Sequence, residues 1–189
     1  MEKIMIVSST SRGHEMLAGI LKTTPYSNII TANSASEAKR KMAEDNIAII
    51  VINCPLSDEF GLELAQEIAE ETSCAVALIV KSELSDQVEH RAEKFGAFVI
   101  SKPLSRQVFC QSMKMLSATR KRMQGLQKEN IKLKEKIEEI RLIDRAKHAL
   151  IQYLSMSEPE SHRYIEKQAM DMRISRREVA RSILKIYEI

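Results

Sequence analysis

The chain has no tryptophan, and only 4% of its 189 residues are aromatic. That scarcity disfavours the aromatic platforms on which extended single-stranded nucleic acids stack. Cysteine is also sparse: Cys54, Cys74 and Cys110 are odd in number and lack paired CxxC spacing. They read as reduced thiols of a cytoplasmic protein, not as a disulfide framework or a zinc site. No apolar run approaches the roughly 20 residues that a bilayer-spanning helix needs. The short run Ile4–Val7 passes at once into the polar stretch SSTSRGH, so no signal sequence is expected. Catalytic signatures are missing too, with no glycine-rich phosphate loop or metal motif, and His14, His90, His148 and His162 are scattered. The sequence predicts no enzyme, no cofactor, no metal and no membrane partner.

What is present is divided. The net charge of +3 conceals −5 over residues 1–104 and +8 over residues 105–189. An acidic front and a basic back suggest one part that senses and another that meets a polyanion. A solvated, lysine-rich helical surface accounts for the same excess, so charge alone leaves the choice open.

The front half alternates short apolar runs with helical patterns. KIMIV (3–7), NII (28–30), IAIIVI (47–52), AVALIV (75–80) and FVI (98–100) read as strands. Amphipathic stretches lie near 12–22, 35–45, 60–72 and 85–95, and Ser34 with Glu37 forms a capping box at the start of the second. Near-continuous β-branched runs separated by helices predict a parallel sheet covered on both faces. Five such units give an α/β, flavodoxin-like (βα)5 doubly wound sheet, whose ligand site lies at the carboxyl ends of the strands.

The third run ends on Asn53, and Gly61 follows eight residues later within IAIIVINCPLSDEFG. This segment resembles response-regulator receiver domains, in which an aspartate at that strand end accepts a phosphoryl group. An amide has no oxyanion with which to attack phosphorus. The resemblance implies further departures. Ser8 and Ser9 stand where receivers place a magnesium-binding acidic pair, and hydroxyls are poor ligands for that hard cation. Val80 replaces the hydroxyl residue after the fourth strand, and Val99 replaces the aromatic switch, while Lys102-Pro103 is retained. The expectation is a receiver scaffold with a degenerate phosphorylation site. Asn53 as an ordinary strand-end residue of another α/β domain is the competing reading. For Lys102, an anion and a neighbouring backbone carbonyl both remain open as partners.

From Ser105 onward no strand signal occurs, and no proline interrupts the pattern until Pro159, which predicts one long helix. Its apolar positions include Leu116, Met123, Leu126, Leu133, Ile137 and Ile140. With Leu126, Leu133 and Ile140 at d, Met123, Asn130 and Ile137 fall at a. Leucine at d with a single asparagine at a favours a parallel two-stranded coiled coil, hence a homodimer. Residues 116–140 would span about 37 Å. Packing of the stripe back onto its own domain is the alternative.

Two more capping boxes, Ser157 with Glu160 and Ser175 with Glu178, predict helices near 158–172 and 175–187. Ala146, Leu150, Tyr153 and Leu154 would form one apolar face, Ile165, Ala169 and Met172 a second, and Val179, Ile183 and Ile186 a third. Helices this short do not persist alone. The expected domains are therefore 1–117 (receiver-like), 118–140 (coiled coil) and 141–189 (an all-α three-helix bundle).

Within that bundle the D-R-A-K run, the S-E-x-E turn, the Q-A-M-D segment and the R-R-E-V-A stretch occur in order. This segment resembles the ANTAR domain of transcription antiterminators, with Ser161 and His148 at places often held by alanine and glycine. The resemblance implies binding to paired hairpins of a nascent leader RNA, which keeps an overlapping terminator from forming. Lys147, Arg163, Lys167, Arg173, Arg176 and Arg177 are the candidate RNA contacts. Tyr153 and Tyr164 read as core residues. Antiterminators of the amidase-operon regulator type are held inactive by a sensor protein, which implies a regulatory protein partner for the receiver-like domain. A DNA-binding regulator and a protein-interaction module without nucleic-acid binding are the competing functions.

Overall fold

The computed structural model describes residues 3–22, 24 and 28–187. Contacts divide the chain into two compact units, 1–124 and 125–189. The first unit contains β1 (Lys3–Ser8), α1 (Ser11–Leu21), β2 (Asn28–Ala32), α2 (Ala35–Glu44), β3 (Ile49–Asn53), α3 (Leu62–Glu71), β4 (Ala75–Lys81), α4 (Ser82–Ala92) and β5 (Phe98–Lys102). A long helix, α5 (Arg106–Leu154), follows, and then α6 (Glu158–Met172) and α7 (Arg176–Tyr187). The sheet is parallel throughout, in the order β2-β1-β3-β4-β5. This is the doubly wound arrangement expected from the sequence.

Alternation along the central strands explains the layers. Met5, Val7, Ile50, Ile52 and Leu78 face one core, completed by Ala38 of α2, Ala65 and Ile68 of α3, and Val88 of α4. Ile4, Ile6, Ile49, Val51 and Ile79 face the other, completed by Leu17 and Leu21 of α1 and by Phe109, Met113 and Leu116 of α5. Both faces of each central strand are thereby buried, which is why these strands read as unbroken apolar runs.

Some boundaries move. Helix α4 begins at Ser82, not near 85, and its final turn, Glu93–Phe95, is a 3₁₀ turn closed by Gly96 in the left-handed region. The expected capping box at α2 forms only by half. Ser34 Oγ accepts from the Glu37 N–H at 3.1 Å, but the Glu37 carboxylate accepts from the N–H and Nδ2 of Asn33 at 2.8 and 2.9 Å. Gly61 has φ of 104°, and a Cβ there would lie 2.9 Å from Ile52 Cγ2 and 3.1 Å from Cys54 Sγ. The backbone conformation and the close packing both require glycine at the start of α3.

The second unit packs the C-terminal part of α5 against α6 and α7. Its core holds Ala146, Ala149, Leu150, Ile165, Ala169, Val179, Ala180, Ile183 and Leu184. Five residues expected inside lie outside; Leu154, at the end of α5, is 45% exposed and Tyr164, beside the buried stripe of α6, is 37% exposed. Met172 is 59% exposed and Ile186 70%. Met172 is the last residue of α6, and after Arg173 turns left-handed (φ 55°) the chain places Ile174 against the core instead. On α7 the buried stripe runs through Val179, Ala180, Ile183 and Leu184, leaving Ile186 at its edge in the last turn of the helix, exposed. Tyr153 is 55% exposed, at the end of the bundle where it stacks on Tyr187. Ser175 and Glu178 form a reciprocal capping box. The serine N–H reaches the carboxylate at 2.8 Å and the Glu178 N–H reaches the hydroxyl at 3.2 Å.

Candidate functional site

Parallel pairing of β1 with β3 sets Ser8 beside Asn53 at the carboxyl ends of the strands. Asn53 Nδ2 donates to Ser8 Oγ at 3.1 Å, and Asn53 Oδ1 is buried without a partner in the protein. Thr10 caps α1 by accepting the Gly13 N–H at 3.1 Å, which draws the helix start close to the strand ends. A Cβ at Gly13 would lie 2.3 Å from Ser8 Oγ and 2.8 Å from Asn53 Nδ2. Ser9 Oγ donates to the Pro55 carbonyl at 3.3 Å. This corner is occupied by hydroxyls, an amide and close-packed backbone. No carboxylate takes part in these contacts.

Lys102 is brought to the same end. Its Nζ donates to the Cys54 carbonyl at 2.8 Å, a backbone carbonyl being one of the two partners considered for it. Burial lowers the ammonium pKa; the neighbouring Cys54 opposes that, and Lys81 adds to it. Val80 is buried and Val99 packs beside the core, so neither supplies a polar group. The Ser82 hydroxyl donates to the Lys102 carbonyl at this end of β5.

The acidic residues of the β3–α3 loop serve helix ends. Asp58 Oδ1 accepts the Ala35 N–H at 2.9 Å and Oδ2 accepts the Ser36 N–H at 3.0 Å. Glu59 accepts the Leu64 N–H at 2.9 Å. Carboxylates at helix N-termini satisfy orphan donors and meet the favourable end of the dipole. Sequence reasoning missed these clamps.

Asp58 is held down to about 2 from an ordinary 3.8, chiefly by the backbone N–H of Ser36 and then that of Ala35. Glu37 is likewise held down to about 2, first by its bond to Lys41 and then by the Asn33 N–H. Both folded values lie below the unfolded ones. Their contribution to stability is complete above roughly pH 5 and is lost as the pH falls towards about 2. Thermal melts between these limits should show a falling midpoint, with a shallower fall for Asp58→Asn. Equal slopes for the two proteins would show that the clamp contributes nothing.

On α5 the apolar stripe separates into two parts. Leu116 is only 7% exposed and belongs to the core of the first unit, so it is not available to a partner helix. Met123, Leu126, Leu133, Ile137 and Ile140 are 49–58% exposed, and Asn130 is exposed among them.

The expected RNA contacts divide as well. Lys147 is committed within the bundle, its side chain 16% exposed and paired with Asp144 at 2.9 Å and Glu158 at 3.1 Å. Those two carboxylates raise its pKa. Arg176 pairs with Glu166 at 3.4 Å, a carboxylate that His162 also approaches at 3.3 Å. Arg163 and Lys167 lie one turn apart on the exposed side of α6, and Arg173 is exposed at its end. Arg177 is half-buried.

Comparison with known proteins gives these sites a setting. Residues 132–184 match the ANTAR domain. The fold resembles a CheY-like response regulator receiver domain protein from Methanospirillum hungatei JF-1, with a TM-score of 0.59 at 18% identity over 65% of this chain and 98% of that one. A two-component response regulator from Clostridium difficile gives a TM-score of 0.56 at 24% identity, over 61% and 95% of the two chains. The chain thus combines a receiver-type fold with a C-terminal segment that matches the ANTAR domain. Across both parts it is similar to the transcriptional regulatory protein PdtaR of Mycobacterium tuberculosis. The two are 27% identical over 172 residues, covering 89% of this chain and 82% of the relative. No helix among the described residues is long and apolar enough to cross a membrane.

Proposed function

We propose that this protein is a transcription antitermination regulator that binds paired hairpins in nascent leader RNA as a homodimer, under phosphorylation-independent control. The observation that carries this reading is the ANTAR match over a helical bundle whose exposed side bears Arg163, Lys167 and Arg173. Those cations would neutralise phosphates, and an arginine fork can also read a guanine edge. Hairpin loops offer unstacked bases that duplex RNA hides in a deep, narrow groove. A dimer presents two such bundles, so the second hairpin is captured intramolecularly.

Control is assigned to contact. At the strand ends the Asn53 amide, the Ser8 hydroxyl and the carbonyl-bound Lys102 supply neither a nucleophilic carboxylate nor a magnesium-binding acidic pair. A regulatory protein that grips the receiver-fold unit is the input this arrangement leaves open.

The test compares binding to a leader RNA with two hairpins, a loop-mutated control and duplex DNA of equal length. Each is measured before and after incubation of the protein with acetyl phosphate and magnesium. The two-hairpin RNA should bind best, with no change after incubation and no phosphoryl mass added. Equal binding to all probes would sink the RNA reading, and a stable phosphoryl adduct would sink the account of control.

A further inference from the structure

Two of the four tyrosines in this aromatic-poor chain come together on the second unit. Tyr153, in the last turn of α5, stacks on Tyr187, the last residue of α7, with ring centroids 5.3 Å apart and planes within 15°. Tyr153 also lines an open concavity of about 180 Å³ with Arg145, His148, Ala149 and Gln152. These residues recur at three- and four-residue steps along α5 and so share one side of the helix. Ala149 and Tyr153 adjoin the buried stripe of Ala146 and Leu150, while Arg145, His148 and Gln152 lie further round the helix and are exposed.

The chemistry of the lining is selective. His148 Nδ1 lies 2.8 Å from the Asp144 carbonyl, which can only accept, so Nδ1 carries the hydrogen. In the neutral ring Nε2 is then an acceptor. Gln152 offers both a donor and an acceptor. A phosphate, which accepts only, would leave the Gln152 acceptor unused. A nucleobase edge presents donors and acceptors together and adds a flat face for an aromatic ring. The volume is below the roughly 300 Å³ at which sites for drug-sized ligands begin, which suits a single base. The stack on Tyr187 fixes the Tyr153 ring before anything binds, lowering the entropy lost on binding.

We propose that this concavity receives one unpaired base of the hairpin loop, stacked on Tyr153 and read at its edge by His148 and Gln152. The inference rests on the RNA-binding reading above and adds to it a place and a mode of recognition. It also limits the first expectation drawn from composition: too few aromatics for an extended platform is still enough for one base.

The test uses the full-length protein and the two-hairpin RNA with 2-aminopurine at successive loop positions. One position should lose fluorescence on binding, as stacking requires. Tyr153→Phe keeps the stacking face and should bind within about two-fold of the parent. Tyr153→Ala should lose both the quench and on the order of ten-fold in affinity. Gln152→Ala, at an exposed position, should bind several-fold more weakly at the quenched base alone. It decides the matter if Tyr153→Ala fails to fold. Parent affinity in both Gln152→Ala and folded Tyr153→Ala, with no quenched loop position, would overturn the site while leaving RNA binding intact. Failure of the unmodified protein to bind the RNA overturns the site and the RNA reading together.

Discussion

Leu126→Glu combined with Leu133→Glu is expected to yield a folded monomer that has lost about 100-fold or more of its affinity for a two-hairpin RNA. Single-hairpin affinity should be unchanged. Both leucines lie half exposed on α5 and contribute nothing to either core. Glutamate is a good helix former, and surface substitutions change stability by only about 0.5 kcal/mol. The burden therefore falls on the proposed dimer. At d positions of a two-stranded coil, four glutamates would have to be buried side by side, which a zipper of three or four heptads cannot withstand. Losing the dimer removes the tethering that makes the second hairpin contact intramolecular, an advantage of about 10²- to 10⁴-fold. Sedimentation analysis reads the assembly, and titrations with one- and two-hairpin RNAs read the avidity. A variant that stays dimeric would place the interface elsewhere. A variant that also loses single-hairpin binding would show the stripe to be part of the RNA surface.

Which features were legible in the sequence follows from how local their causes are. The five strands were readable because burial on both faces leaves unbroken apolar runs such as Ile49–Ile52. Gly61 was readable because one backbone conformation and one tight contact both exclude a side chain there. The cap of Ser175 on Glu178 was readable because both partners lie within four residues. The clamps of Asp58 on α2 were not, because they join residues more than twenty positions apart and leave no period. Nor was the commitment of Lys147, which looks like any surface lysine until Asp144 and Glu158 are placed beside it.

Faces of short helices were the least secure. On α7 the apolar residues alone do not tell whether Ile186 or Leu184 points inward, since both are apolar and two residues apart. The bundle selects Leu184. Tyr153 was misplaced for a related reason. Its spacing from Ala146 and Leu150 continues the buried stripe, but the bundle ends first, and the ring meets Tyr187 at the surface. The same departure supplies the candidate base receptor. An apolar residue displaced from a core by its position in the fold is thus a better guide to function here than the aromatic count.

Phe109→Ala should destabilise the first unit by about 3–5 kcal/mol, a large share of the 5–15 kcal/mol that holds a typical domain together. Phe109 is fully buried and sits on the sheet face shared by Ile4, Ile6, Ile49 and Ile79, with Met113 and Leu116 one and two turns further along α5. Those three side chains are the anchor of α5 on the sheet. Leu116 belongs to this set and not to the seam further along the helix. Alanine would remove the largest of the three and leave a cavity that rigid strands on one side cannot fill. Hydrogen exchange separates the units where a global melt cannot, because two units need not unfold as one. Amides of Ile4–Val7 and Ile49–Ile52 should exchange on the order of 10²- to 10⁴-fold faster in the variant. Amides around Ile165 and Ala169, protected by the second unit's own core, should keep their rates. Less than ten-fold acceleration in β1 and β3 would mean that Met113 and Leu116 hold α5 without Phe109. Equal acceleration in both units would mean that they unfold together through α5.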